Sequence, residues 1–542
     1  MNKFVRKAAA VMFAGAMLVQ MSMGASAAKL TISGQGEGSI YAAYRLLNLE
    51  TTLKSDGHDA HPEGKHTDSC YSYAYTVNSK YRSLLRSVID PDDADGPTDG
   101  EIIGYIRDMD SEQIHEFSDA LYKSFLEDAG TWVPDFSDFE AQADGKTFVS
   151  GSDVRQGYYL IRETKIGAAP DVRSLIMLDT MGQDDLTINT KEDIPDLTKK
   201  IFEDNKYVDA VDQAVGDTVH YQLKTTIPEL SYRGFIHNTK PYNIQFYDTM
   251  SSGLSLDKDS VVLKVNGKSV NLAECDKDGE LVSGDYAQVG GLCYEDIGAG
   301  GFAGVLHVYV QPLAFSDTTT DDIVVTVDYD CEITRDAVSG TAGNPNTAKL
   351  YFDNDPYNTK PSTSVTPEDK NTVFTYDVVV NKVDGAGASV KGANFKLQKK
   401  NDAGTYVDYR TNTFDANQTV FRFDDLDSGF YKLVESTVPD GYNGAADVEF
   451  EIRATYDKDS DDPKLTDLKV YIDGVEQGTD GPFVIDMTPG EVKTNIVNTS
   501  GKKLPSTGGA GTYAFYIGGG VLVLVGAGAM IMMQKRKKGS AE

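Results

Sequence analysis

Near the C-terminus, Leu504-Pro505-Ser506-Thr507-Gly508 stands before an uncharged run from Tyr513 to Met533 and the basic group Lys535-Arg536-Lys537-Lys538. The uncharged run is long enough for one helical membrane crossing, which takes about 20 residues. Its glycines are tolerated in such a helix, and the basic group stays on the cytoplasmic side. Further back, lysines, carboxylic acids and asparagines recur in strand-like segments. These types support one reaction in particular. A lysine amine attacks a carboxamide only when neutral, and burial among apolar side chains favours that form. Burial also favours a protonated carboxyl, which polarises an amide carbonyl and helps move protons as ammonia leaves. Adjacent strands would supply the proximity.

The start of the chain reads as an export signal. Lys3, Arg6 and Lys7 form a basic region, Ala8 to Met23 is mostly apolar, and Ala25-Ser26-Ala27 is a small-residue cleavage site, so residues 1–27 are excluded from the fold. The remainder before the C-terminal pentapeptide is enough for roughly three domains of about 150 residues each. The chain has 83 acidic and 51 basic side chains and a formal net charge of −32, which argues against nucleic acid or an anionic membrane as partner. With 40% hydrophobic and 10% aromatic residues it has the composition of a folded chain. Four cysteines (Cys70, Cys275, Cys293, Cys331) are too few for a disulfide scaffold. Export permits disulfides, and Cys275 with Cys293 would close a short loop, although spacing does not fix the pairing. His58, His61 and His66 with Asp59 and Asp68 match no zinc spacing and read as an exposed loop, so no metal and no cofactor is expected.

The pattern along the chain predicts a mainly β protein of tandem immunoglobulin-like β-sandwich domains, the first with inserted helices. The first domain covers 28–190. Leu30, Ile32 and Ile40 to Leu47 suggest strands, and strand-like runs return at Gly157 to Glu163 and Ser174 to Leu178. Between them are two helical segments. In the second, Ile114, Phe117, Leu121 and Phe125 form a core stripe, with Asp110 at its N-cap. An exposed connector around Pro195 leads into a middle β-sandwich over 191–356. Residues 357–370, rich in Pro, Thr, Ser and Lys, read as a linker, and a third β domain covers 371–498. Residues 499–542 carry the pentapeptide and the span 513–533.

Pentapeptide, span and basic tail, in that order, resemble a Gram-positive cell-wall sorting signal, matched at every fixed position. The resemblance implies that a sortase cuts between Thr507 and Gly508 and joins Thr507 to an amine. In the third domain, Tyr431-Lys432-Leu433-Val434-Glu435-Ser436-Thr437-Val438-Pro439-Asp440-Gly441-Tyr442 resembles the E-box of pilin and collagen-adhesin B-type domains. Asn381-Lys382-Val383-Asp384 and Thr494-Asn495-Ile496-Val497-Asn498 resemble the opening and closing strands of that domain type. This implies an isopeptide bond between Lys382 and Asn498, assisted by Glu435.

The middle domain opens with Pro195-Asp196-Leu197-Thr198-Lys199-Lys200 and contains Phe246-Tyr247-Asp248-Thr249. It closes with Gly343-Asn344-Pro345-Asn346 and Leu350-Tyr351-Phe352-Asp353-Asn354. These segments resemble the isopeptide-forming middle domain of Gram-positive fimbrial shaft subunits. That resemblance suggests Lys199 bonded to Asn354 with Asp248 as the assisting acid; Asn344, Asn346 and Lys200 are the alternatives. Thr187-Ile188-Asn189-Thr190-Lys191 resembles the pilin motif without its proline, which implies Lys191 as the acceptor of Thr507, with Lys200 and Lys206 as alternatives. Gly157-Tyr158-Tyr159-Leu160-Ile161-Arg162-Glu163-Thr164 is similar to part of an E-box, but no Pro-x-Gly-Tyr follows. Glu163 is therefore read as structural.

Across nearly the whole exported chain the resemblance is to the major shaft subunit of a sortase-assembled pilus. It implies a structural cell-wall protein, not an enzyme. Its partners would be sortase, further copies of itself, peptidoglycan, minor pilins and host ligands. The competing expectation is a monomeric wall-anchored adhesin or minor pilin.

Overall fold

The computed structural model describes residues 29–501 except for 34–36, 54–70, 93–94, 128–131, 152, 167–174, 182–184, 190–193, 277, 300–301, 318–319, 358–361, 411–413 and 479–480. The signal peptide, the histidine loop with Cys70, Lys191, the pentapeptide and the span 513–533 lie outside the described residues. Among the described residues no helix is long and apolar enough to cross a membrane.

Alternation builds the middle domain. In Thr218–Ile227 every second side chain (Val219, Tyr221, Leu223, Thr225, Ile227) is buried, and Ile323–Ile333 repeats the pattern as its antiparallel partner. Period-two burial of this kind makes one face of a sheet apolar. Facing it, Ile244–Ser251 presents Ile244, Phe246, Asp248 and Met250 from a second sheet. The two sheets close over one shared core, which is the sandwich the pattern predicts. One element was not foreseen: the helix Glu229–His237, whose Tyr232 and Phe235 pack into that core.

The third domain pairs its ends. Its opening strand Tyr376–Asp384 runs parallel to its closing strand Glu491–Ser500, with Lys382 opposite Ile496. The E-box strand Gly429–Thr437 belongs to the facing sheet, and Tyr431 donates from its hydroxyl to Asp427 O four residues back. The first domain repeats this plan: Lys29–Ser33 runs parallel to Asp185–Asn189, and Tyr159 donates to Arg155 O. Among the described residues three helices, one more than expected, are inserted: Arg82–Ile89, Asp99–Arg107 and Ser111–Glu127. Phe117, Leu121 and Phe125 are buried with Tyr44 and Leu46, as the stripe requires. Asp110 caps that helix, accepting from Gln113 N at 2.9 Å while Gln113 Oε1 accepts from Asp110 N at 3.0 Å.

The stretch read as a linker is different in the structure. Thr363–Val365 and Asp369–Phe374 are antiparallel partners of Asn344–Asp353, so they complete the middle sandwich, and the third domain begins at Tyr376. Thr363–Val365 stands at the sheet edge, while Asp369–Phe374 lies between two strands; a proline- and hydroxyl-rich composition does not separate such strands from a connector. The junction is tight. Ala210–Asp212 lies parallel to Asp369–Phe374, while Asp209 N and Val215 N donate to Lys458 O and Asp425 O at 2.7 and 3.1 Å. Gly340, at φ +84°, donates to Thr375 O, and a Cβ there would stand 2.3 Å from Thr488 O, so no larger residue fits.

Asp425 at this junction is 8% exposed, and burial, then the charges of Asp377 and Asp424, push its carboxyl up to about 7. The folded state therefore holds this proton at pH values where the unfolded chain has released it. The resulting stability is complete in acid below the ordinary carboxylate range and is lost as the pH rises towards 7. Denaturant titrations of the mature chain at pH 5 and pH 8 should show lower stability at pH 8, by on the order of 1–2 kcal/mol after solvent screening. Asp425→Asn, which tolerates the left-handed backbone at φ 55°, should flatten that difference; an unchanged slope would place its origin elsewhere.

Candidate functional site: two buried amine, acid and amide clusters

Parallel pairing of its two ends places three groups together in the third domain. Lys382 and Asn498 are fully buried on adjacent strands. Glu435 enters from the facing sheet with its side chain 2% exposed. Lys382 Nζ lies 3.5 Å from Glu435 Oε1 and donates to Ile496 O at 3.0 Å. Asn498 Nδ2 donates to the same Glu435 oxygen at 2.8 Å, while Ala445 N holds the other at 2.8 Å. One carboxyl oxygen thus touches both reactants. Burial depresses the Lys382 amine below its ordinary value, against the opposing pull of Glu435. A half-turn of the Asn498 amide would present its Oδ1, buried and without a hydrogen bond in the present orientation, to Glu435.

The cluster in the middle domain joins the two sheets instead of two neighbouring strands. Lys199 on Thr198–Glu203 is fully buried, as is Asp248 on the opposite sheet, and Lys199 Nζ meets Asp248 Oδ1 and Oδ2 at 2.8 and 2.9 Å. The amine also donates to the Tyr329 hydroxyl at 2.6 Å and lies 4.9 Å from the centre of the Tyr221 ring, which stacks on Tyr329. Burial is again the largest influence on this amine and lowers it. Tyr329 donates to Asp248 and accepts from Asn346 Nδ2 at 2.9 Å. Lysine, acid and asparagine therefore meet around a phenol held firmly in its neutral form by burial.

The asparagine at this site is Asn346, not Asn354. Asp248 stands opposite Ala348 and Met250 opposite Asn346, so Asn346 shares the face of Asp248. Asn354 lies eight residues further along, past the end of the strand, where its N–H donates to Ser362 O; at about 3.3 Å per residue that is about 26 Å away. Asn344 is occupied structurally, with its amide bonded to Val338 at both ends and to Val373 O. Asn346 Oδ1 is buried without a hydrogen bond. Lys200, the alternative lysine, points away to Asp209 at 2.6 Å and is one-third exposed. Tyr221 and Tyr329 had no part in the sequence reading; each alternates as an inward-facing strand residue, and only the register of two distant strands pairs them.

The first domain places an acid at the same position. Tyr41 opposite Glu163 corresponds to Phe395 opposite Glu435, and Ile32 opposite Phe148 corresponds to Val380 opposite Phe421. In the sequence, Gly34 follows Ile32 by two residues as Lys382 follows Val380. Glu163 is fully buried.

Residues 376–464 match the SpaA family, a prealbumin-like fold domain, and residues 496–540 match the LPXTG cell wall anchor motif. The chain is thus a cell-wall-anchored surface protein of tandem β domains. Over 403 residues it is 25% identical to the trypsin-resistant surface T6 protein of Streptococcus pyogenes serotype M6, covering 64% of this chain and 70% of that one. Among solved structures, the T6 backbone pilin of the same organism is 18% identical, with a TM-score of 0.47 over 88% of this chain and 99% of that one. The Corynebacterium diphtheriae major pilin SpaA is 12% identical, with a TM-score of 0.42 over 87% of this chain and 100% of that one.

Each cluster has the parts for one condensation, in which the lysine nitrogen replaces the amide nitrogen on the asparagine carbon and one ammonia is released. The expected intact mass of the mature protein is therefore lower than its sequence mass by two ammonias. Asn346→Ala and Asn498→Ala should each restore one, Asn354→Ala none. A deficit that survives Asn346→Ala but disappears in Asn354→Ala would overturn the assignment.

Proposed function

We propose that the chain is the shaft subunit of a covalent cell-surface pilus of a Gram-positive bacterium, polymerised by sortase and anchored to peptidoglycan. Thr507, released from Gly508 by sortase, is joined to the Lys191 amine of the next subunit. Repetition of that head-to-tail contact gives an open polymer. The last Thr507 in the shaft is joined to the wall. In the sequence, Lys191 stands two positions past Asn189, the last residue of the strand Asp185–Asn189. The anchor motif at the C-terminus and the similarity to the T6 surface protein support this reading.

The observation that carries it is the pair of buried clusters. In each, the neutral lysine amine attacks the asparagine carbon while the acid, protonated, hydrogen-bonds the carbonyl; the acid then gives its proton to the departing amide nitrogen, which leaves as ammonia, and takes back the proton that the lysine nitrogen loses. Glu435 serves Lys382 and Asn498; Asp248, steadied by Tyr329, serves Lys199 and Asn346. Each reaction occurs once per domain, so the chain turns over no substrate and its role is structural. A cross-link closing a loop of this length stabilises by about 5 kcal/mol through the unfolded state. It also routes tension across the domain instead of through its hydrogen bonds. Minor pilins and host-surface ligands are the further partners of such a shaft.

Wall extracts boiled in denaturant should give a high-mass ladder for the wild-type chain and monomer for Lys191→Ala. A ladder that persists in the variant would move the acceptor to another lysine such as Lys200 or Lys206. Monomer in the wild type, with its sortase present, would contradict the shaft and favour a singly anchored adhesin.

A further inference from the structure

A second kind of covalent tie is prepared at one edge of the middle domain. The three-residue strand Leu272–Glu274 is the last strand of its sheet and pairs in parallel with Gly290–Ala299, Glu274 opposite Leu292. The ladder continues one step further, because Cys275 N donates to Leu292 O at 3.1 Å. Cys275 is thereby opposite Cys293. Their thiols are in hydrogen-bonding contact, and both residues are buried, at 5% and 9% exposure. Neighbouring parallel strands are about 4.8 Å apart, inside the Cα separation that a disulfide spans. Gly291 leaves room for the bridge: a Cβ there would stand 3.1 Å from Cys275 Sγ. The chain between them makes an excursion off the sheet, with Val282 70% exposed.

We infer that Cys275 and Cys293 form an intramolecular disulfide that ties this excursion to the sheet edge. The step is thiol–disulfide exchange with a disulfide-donating oxidant outside the membrane. One thiolate attacks the oxidant's disulfide, and the second cysteine displaces it. Two Sγ–H bonds are lost, one Sγ–Sγ bond forms, and the oxidant leaves as two thiols. Burial raises both thiols, Cys275 to about 12, which disfavours the attacking thiolate once the domain has closed. Oxidation therefore belongs to the folding of the exported chain, and the finished bond is shielded from reductant. Cys331, fully buried against Met250, serves as the internal control for a cysteine that stays a thiol.

The test uses protein released from the cell wall, denatured and alkylated without reductant, then reduced and alkylated with a second, heavier reagent. The expected result is first-reagent label on Cys331, second-reagent label on Cys275 and Cys293, and a joined peptide pair before reduction. Cys293→Ser should transfer Cys275 to the first reagent while leaving the isopeptide mass deficit intact, which shows that the variant has folded. First-reagent label on both cysteines of the wild type, or Cys275 joined to any other cysteine, would overturn the inference. Cys293→Ser should also speed proteolytic cleavage within 276–289 several-fold; an unchanged rate would remove the tie as a protector of this edge.

Discussion

A lysine amine removed from water must be neutralised, paired or consumed, and the architecture of this chain depends on how it does so. Lys199 and Lys382 are fully buried, which would cost several kcal/mol each if they stayed charged and alone. Each is set against one carboxyl and one asparagine amide, with the remaining contacts supplied by Tyr329 in one case and Ile496 O in the other. A permanent ion pair would be an expensive use of such a position. A reaction that turns amine and amide into a neutral, buried amide bond removes the difficulty. The same elements that hide the lysine also set its distance to the acid, so folding and activation are one event.

The two clusters solve different mechanical problems. In the third domain the opening and closing strands are already neighbours in one sheet, and the bond would fix their parallel registry. In the middle domain Thr198–Glu203 and Asn344–Asp353 lie in different sheets, and the bond would staple the sandwich through its core. Between them the junction is continuous, because Asp369–Phe374 completes the middle domain and leads within two residues into the opening strand of the third. A load entering at Lys199 and leaving at Asn498 would cross hydrogen-bonded structure only at that junction. The first domain shares with the third the parallel pairing of its two ends.

How much of this was legible from residues alone follows from locality. Lys382, Glu435 and Asn498 were readable because each lies in a short, distinctive segment and their strands are the first, an interior one and the last. Asp248 and Lys199 were readable for the same reason. Asn346 was not, because three asparagines fall within eleven residues and only register against Asp248 distinguishes them, which is a contact between distant parts of the chain. Tyr221 and Tyr329 looked like ordinary inward-facing strand residues, and their role depends on the opposite sheet. The supposed linker misled because polar strands and true connectors share a composition. The helix Glu229–His237 was hidden among β-type runs, its own sequence carrying a glycine and only modest periodicity.

The central claim is that tension passes through covalent bonds in the middle and third domains. Pulling single mature chains by their two ends tests it most directly. The account predicts that rupture and lengthening come from the first domain, and that the other two extend only in Lys199→Ala and Lys382→Ala variants. Three separate unfolding events in the wild-type chain, each releasing a whole domain, would contradict it.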